Sequence, residues 1–185
     1  MKSCCFIGHR HINITADLKE RLEEMIIDLI NNHNVTNFLF GSNSEFNTLC
    51  HEIVTKLKES YSNIIRIVYT CASETCTYES EREKQEETYS ILFKKTIHLL
   101  GFEEEREYKT KYTAGKASYV KRNQAMINDS NYCVFYYDEK YEPELRKYSK
   151  NSIGYYQPNS GTKLAYSYAK SKRKIIYNIK NLLKI

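Results

Sequence analysis

Hydrophobic positions along this chain follow two alternating periods. Short continuous apolar runs at residues 4–7, 37–40, 64–69, 132–137 and 174–179 have the length and the β-branched or aromatic content of buried strands. Between them, apolar residues recur at helical spacing. Leu18, Leu22, Met25, Ile26, Leu29 and Ile30 follow Thr15, a predicted N-cap, with Asp17 in the first turn. Phe46, Leu49, Cys50, Ile53 and Leu57 mark a second helix, and residues 116–129 and 162–171 two more. The charged residues 79–87 predict a solvated helix running on to about residue 95, followed by an apolar run at 97–100 and a polar loop at 101–115. Residues 138–160 form a connection rich in Tyr, Lys, Asn and Ser that holds both prolines. Continuously apolar strands separated by amphipathic helices predict a parallel sheet covered on both faces, a doubly wound α/β domain. No repeat or linker divides residues 1–185, so one domain is expected.

That architecture gives the polar clusters a place. In open parallel sheets, ligands collect beyond the carboxyl ends of the strands, where the strand order reverses. Gly8-His9-Arg10 follows the first strand, Gly41-Ser42-Asn43-Ser44-Glu45 the second, and Ser160-Gly161-Thr162 opens the last helix. Arg122 and Asn123 lie on the helix before residues 132–137. Small residues at a helix N-terminus bind anions through free N–H groups and the helix dipole. Two such stretches with arginines point to a ligand bearing phosphate.

Each cluster also has a purely structural explanation. His9 and Arg10 fit a solvated loop. Ser42 and Glu45 fit a capping box that only ties down the helix start, and Ser160 fits a simple cap. Arg122 shares a helical face with Tyr119 and Met126, so it points to solvent or to a groove. Neither the G-x-G-x-x-G nor the P-loop pattern is present.

Composition narrows the classes. Hydrophobic residues at 41% and charged residues at 28% are those of a soluble globular protein. A net charge of +5, with the positive residues interleaved with acid, does not itself argue for nucleic acid. No apolar run is long enough to span a membrane or serve as a signal peptide. Of six cysteines, Cys4, Cys5 and Cys133 fall in strand-like runs, where free cysteine behaves as a small hydrophobe. Cys71 and Cys76 have no matching second pair, so no metal site is expected. The expectation is a reduced, cytoplasmic protein without cofactor or metal.

The blocks FIGHR, FGSNSEF, YVKRNQAMINDS and SGTKLAYSYA, in this order from residue 6 to about 170, resemble the SLOG superfamily of Rossmann-like domains, and most of all its YpsA-like branch. The resemblance implies a Rossmann-like fold with a ligand cleft at the strand carboxyl ends and ligands of nucleotide type. Relatives include the cytokinin-activating phosphoribohydrolases, the DNA-uptake protein DprA and proposed sensors of nucleotide or ADP-ribose-derived signals. This chain departs from the hydrolases in two places. Their P-G-G-x-G-T-x-x-E is here PNSGTKLA, which keeps Gly161 and Thr162 but places Ala165 at the glutamate position. Many relatives also carry aspartate where this chain has Asn47, and an amide cannot act as a general base.

Three functions are therefore weighed. The first is a binding domain for a nucleotide or a nucleotide-derived ligand such as AMP, ADP-ribose or an NAD-related molecule. Gly8, His9, Arg10, Gly41, Ser42, Asn43, Asn47, Arg122, Asn123, Ser160, Gly161 and Thr162 would bind it, and residues 138–160 would close as a lid. The second is an N-glycosidic-bond hydrolase with Glu45 as its catalytic carboxylate. The third, a nucleic-acid binding module, ranks last and makes nucleic acid an unlikely partner. SLOG relatives often dimerise, so a homodimer is allowed.

Overall fold

The computed structural model describes residues 1–41, 44–71, 101–108, 116–149 and 151–182. In chain order the elements are β1 (Lys2–Gly8), α1 (Ala16–Asn31), β2 (Val35–Phe40), α2 (Glu45–Leu57), β3 (Ile65–Cys71), β4 (Glu104–Tyr108), α3 (Lys116–Asn128), β5 (Tyr132–Tyr136), β6 (Arg146–Lys147), β7 (Tyr155–Tyr156), α4 (Gly161–Ser171) and β8 (Ile175–Asn178). A 3₁₀ turn, Ile179–Leu182, follows β8.

Six strands form one sheet in the order β4-β3-β2-β1-β5-β8, and every described pairing in it is parallel. The chain winds outward from β1 through β2, β3 and β4, then returns to the other side of β1 for β5 and β8. The reversal falls between β1 and β5, which pair from Cys4↔Tyr132 to Gly8↔Tyr136. This is the doubly wound Rossmann-like α/β fold.

The apolar runs are continuous because successive side chains face opposite layers, both of them covered. Cys4, Phe6, Phe38 and Phe40 pack with Leu18, Leu22 and Ile26 of α1 and with Phe46, Cys50 and Val54 of α2. Cys5, Ile7, Leu39 and Ile67 pack on the opposite face with Met126 and Ile127 of α3 and Ala165 and Ala169 of α4. Phe6 is fully buried, its ring stacked 5.3 Å from Phe40 and 5.9 Å from Phe38. Cys4, Cys5 and Cys133 are free and buried, the small hydrophobes the sequence indicates, and Cys50 of α2 joins them. Thr15 caps α1 as expected, its hydroxyl accepting the Leu18 N–H at 3.1 Å.

Two expectations need correction. The stretch read as a polar loop at 101–115 contains β4, an edge strand whose sequence, EEREY, carries no apolar period. Backbone pairing to β3 makes it a strand, and charged side chains suit an edge. Its entry is clamped by Glu103. One carboxylate oxygen accepts the Arg66 backbone N–H at 2.7 Å, and the other accepts from the buried guanidinium at 2.5 Å. Gly101 precedes the clamp at φ +70, a left-handed conformation that glycine adopts without strain. The connection at 138–160 contains the short antiparallel hairpin β6/β7, with Arg146 opposite Tyr156 and Lys147 opposite Tyr155. The helix expected at 79–95 and the run at 97–100 lie outside the described residues.

Replacing Phe6 by Ala removes a fully enclosed ring and is expected to cost about 3–5 kcal/mol in urea unfolding. Glu103→Ala leaves the Arg66 guanidinium without its carboxylate and is expected to cost about 1.5–3 kcal/mol in the same measurement.

Candidate functional site

The four described α-helices run back from the carboxyl edge of the sheet, so their N-termini gather there and direct their positive dipole ends toward one rim. The strand order reverses between β1 and β5 at that rim, and Gly8, Gly41 and the start of α4 stand at it.

Gly8 ends β1 at a point of tight contact, where an added Cβ would lie 2.6 Å from the Phe46 side chain of α2. The next residue is the first surprise. His9 is buried rather than solvated, at 3% exposure. Its backbone N–H donates to the Tyr136 carbonyl at 3.3 Å, and its Nε2 accepts the Asp138 N–H at 3.1 Å. The Tyr141 ring lies 4.1 Å from the imidazole. Burial lowers the His9 pKa. A neutral ring that accepts at Nε2 joins the end of β1 to the chain leaving β5 across the reversal.

Arg10 is exposed, and its carbonyl accepts the Glu45 N–H at 2.9 Å. It opens onto a cavity of about 390 Å³ lined also by His11, Lys19, Ser44, Glu45 and Thr48. Both carboxylate oxygens of Glu45 are engaged: one meets His11 Nδ1 at 3.0 Å, the other accepts the Ile12 N–H at 2.8 Å. The hydrogen bond to His11, and after it the one from Ile12, hold this carboxyl below its ordinary pKa.

The capping box expected from Ser42 and Glu45 is not how α2 begins. Ser44 is the N-cap, its hydroxyl accepting the Asn47 backbone N–H at 3.1 Å and the Asn47 side-chain amide at 2.9 Å. Glu45 reaches out to the loop at 10–12 because its own helix is already capped. Asn47 turns its oxygen to the Gly41 N–H at 3.0 Å, so one amide side chain pins the end of β2 to the start of α2. Ser42 and Asn43 lie outside the described residues.

Arg122 does not point to solvent. It is 5% exposed, and an added Cβ on Gly41 would lie 3.1 Å from its guanidinium carbon. The guanidinium sits 5.5 Å from the Tyr119 ring centroid, and Nε donates to Asn123 Oδ1 at 3.3 Å. A buried cation from α3 is thereby held against the carboxyl end of β2, eighty-one positions away in sequence. Ser160 caps α4 by accepting the Lys163 N–H at 3.0 Å, and Thr162 is buried. A Cβ on Gly161 would meet nothing within 4 Å, so this helix start faces open space.

The structure thus joins Gly41 to Arg122, Gly41 to Asn47, Arg10 to Glu45, and Gly8 to the start of α2. Residues 160–162 reach the same rim only through the path of α4. Sequence reading missed Ser44, His11, Lys19 and Thr48. Ser44 was legible as an S-x-x-N pattern, whereas the other three are brought in by the fold alone. A larger cavity, about 470 Å³, lies elsewhere and contains none of the candidates: Tyr69, Arg106, Gln124, Asn128, Asp129 and Tyr168 are among its walls. Among the described residues no cluster of His, Cys, Asp and Glu could hold a metal, and no helix is long and apolar enough to cross a membrane.

Residues 5–171 match the model of the YspA SLOG family. The chain belongs to that family. No curated protein matches the sequence. Among solved structures, this SLOG chain is similar to DNA processing protein A from Helicobacter pylori, described for its single-stranded DNA binding mode. The TM-score is 0.52 and the identity 13%, over 98% of this chain and 71% of that one, a likeness that shows the fold. The expected membership is shown by the match.

Deeper in the SLOG fold lies a second histidine with a lowered pKa, His51. Its ring sits 4.3 Å from Phe102 and 5.3 Å from Phe40, with Nε2 buried and unbonded. Burial, followed by the nearby Arg66 charge, lowers its pKa to about 4. An unfolded chain takes up this proton near pH 6.5, so stability is expected to fall as pH drops from about 6.5 toward 4. In His51→Gln the decline of melting temperature between those values should be shallower than in the wild type.

Proposed function

We propose that the crevice at the carboxyl rim binds a nucleotide or nucleotide-derived phosphate ester, of the class of AMP, ADP-ribose or an NAD-related molecule, and that it acts by binding rather than turnover. The observation that carries this reading is the guanidinium of Arg122, buried against Gly41 at the end of β2. Removing a guanidinium from water is costly. Placing it at a glycine where no Cβ intervenes gives an incoming phosphate a short approach to a rigid, bidentate cation. The start of α2 beside it and the open start of α4 supply oriented N–H groups. Membership of the SLOG family supports the same ligand class.

Three positions favour binding over hydrolysis. Ala165, at the place of the hydrolase glutamate, is 3% exposed and packs in the hydrophobic layer under α4. Asn47 spends its amide on Gly41 and Ser44. Glu45 has both oxygens committed to residues 11 and 12. In this reading Gly8, Arg10, Asn123 and residues 160–162 line the ligand, His9 fixes the crevice wall, and residues 138–160 are free to close over it.

A ligand at about a hundred times its dissociation constant adds about 2.7 kcal/mol, which raises the melting temperature of a domain this size by about 5–10 °C. At least one of AMP, ADP-ribose and NAD is expected to produce such a shift without being consumed. The shift, measured against each variant's own baseline, should vanish in Arg122→Met and shrink in Gly41→Ala. A shift that survives Arg122→Met, or release of free base from any of the three, would overturn the reading.

A further inference from the structure

Acidic residues stop at Glu144. Residues 145–185 carry ten Lys and Arg and no Asp or Glu, whereas residues 1–144 carry 18 basic and 23 acidic side chains. The mild net charge is therefore a sum of two opposed parts, and the interleaving of charge holds only for the first. Six tyrosines (148, 155, 156, 166, 168 and 177) fall in the same basic stretch.

The fold displays this stretch on two elements that follow one another in the chain, the β6/β7 hairpin and α4. In the β6/β7 hairpin, Tyr148 is 71% and Tyr155 56% exposed. The rings of Tyr148 and Tyr156 lie 5.1 Å apart, and Lys147 Nζ stands 5.5 Å from the centroid of Tyr155. After the cap at Ser160, α4 carries Lys163, Tyr166 and Lys170 along one stripe, with Lys170 Nζ 4.6 Å from the Tyr166 centroid. Lys172 stands 5.4 Å from the Tyr168 ring. Lys174 and Lys180 are spent internally, on the Asn128 and Ser130 carbonyls and on Asp138. Arg146, Lys147, Lys163 and Lys170 have no ion pair among the described residues.

We propose that the β6/β7 hairpin and the outer face of α4 form a docking surface for single-stranded nucleic acid. Exposed rings interleaved with unneutralised cations match a flexible polyanion whose bases are free to stack, since every base offers a ring face and every linkage a phosphate. A duplex hides those faces. An anionic membrane would ask for apolar side chains gathered on one side, whereas Leu145 and Ile153 stand singly among polar neighbours. The hairpin lies within the 138–160 connection that the nucleotide reading closes over its ligand. None of these residues contacts Gly41 or Arg122 in the described structure, so Arg122→Met tests that reading and the lysine and tyrosine variants test this surface.

The experiment is fluorescence anisotropy of labelled oligothymidylate, about 16 nucleotides long, with duplex DNA and phosphatidylserine vesicles as competitors. Four phosphate contacts give a log–log salt slope of about −2.8, so affinity should fall about 50-fold between about 50 and 200 mM salt. Lys163→Gln combined with Lys170→Gln should flatten that slope by about 1.4. Tyr148→Ala and Tyr155→Ala should each weaken binding about fivefold or more with an unchanged melting temperature, because both rings are exposed. The proposal is overturned if no binding appears at the lowest salt. It is equally overturned if duplex or vesicles compete as well as single strand does, or if the tyrosine variants bind like the wild type.

Discussion

The placement of β1 between β2 and β5 is the constraint on which the rest of this molecule depends. Parallel strands need a crossover for each connection, and crossovers keep one hand. Winding outward to β4 and then returning past β1 therefore puts α1 and α2 on one face of the sheet and α3 and α4 on the other. At the reversal the ends of β1 and β5 stay paired, Gly8 opposite Tyr136, and the chains leaving them turn apart toward opposite faces of the sheet. Gly8, in close contact with Phe46, and His9, bonded to Asp138, are what that divergence demands locally. The helix starts and the guanidinium of Arg122 are what the topology then brings to it.

The polar network around the rim is economical in a way that bears on chemistry. Three candidate side chains at the rim already have a structural task. Glu45 holds the loop after β1, Asn47 bridges β2 to α2, and the imidazole of His9 accepts a backbone N–H. In the proposed reading the anion is met by the Arg122 guanidinium, hydroxyls and backbone amides, groups that stabilise charge rather than move protons. A binding crevice follows from that division of labour more readily than a hydrolytic one.

Much of the fold was legible because two-sided burial leaves a plain mark. The runs at 4–7 and 132–137 are apolar at every position, and the helical period of α1 begins at its cap. What escaped reading was structure fixed by pairing alone. β4 carries the sequence EEREY and is a strand because β3 offers it hydrogen bonds and Glu103 clamps Arg66. The candidate site was legible as motifs and not as geometry. Gly41 and Arg122 were both singled out, yet no local rule says that they touch. The burial of His9 depends on tertiary contacts no spacing reveals, whereas Ser44 as the cap was open to the spacing of Ser44 and Asn47. The segregation of charge at Glu144 was open to plain counting, and averaging over the whole chain concealed it.

The central claim is that the ligand meets the rim at Gly41 and Arg122. Its most direct test is titration of ¹⁵N-labelled protein with ADP-ribose, followed by chemical-shift changes at backbone amides and at the Arg122 Nε. The expected result is that the largest changes fall on Gly8, Gly41, Ser44, Glu45 and the Arg122 side chain. Changes confined to Tyr69, Arg106, Gln124 and Asn128, around the other cavity, would contradict it.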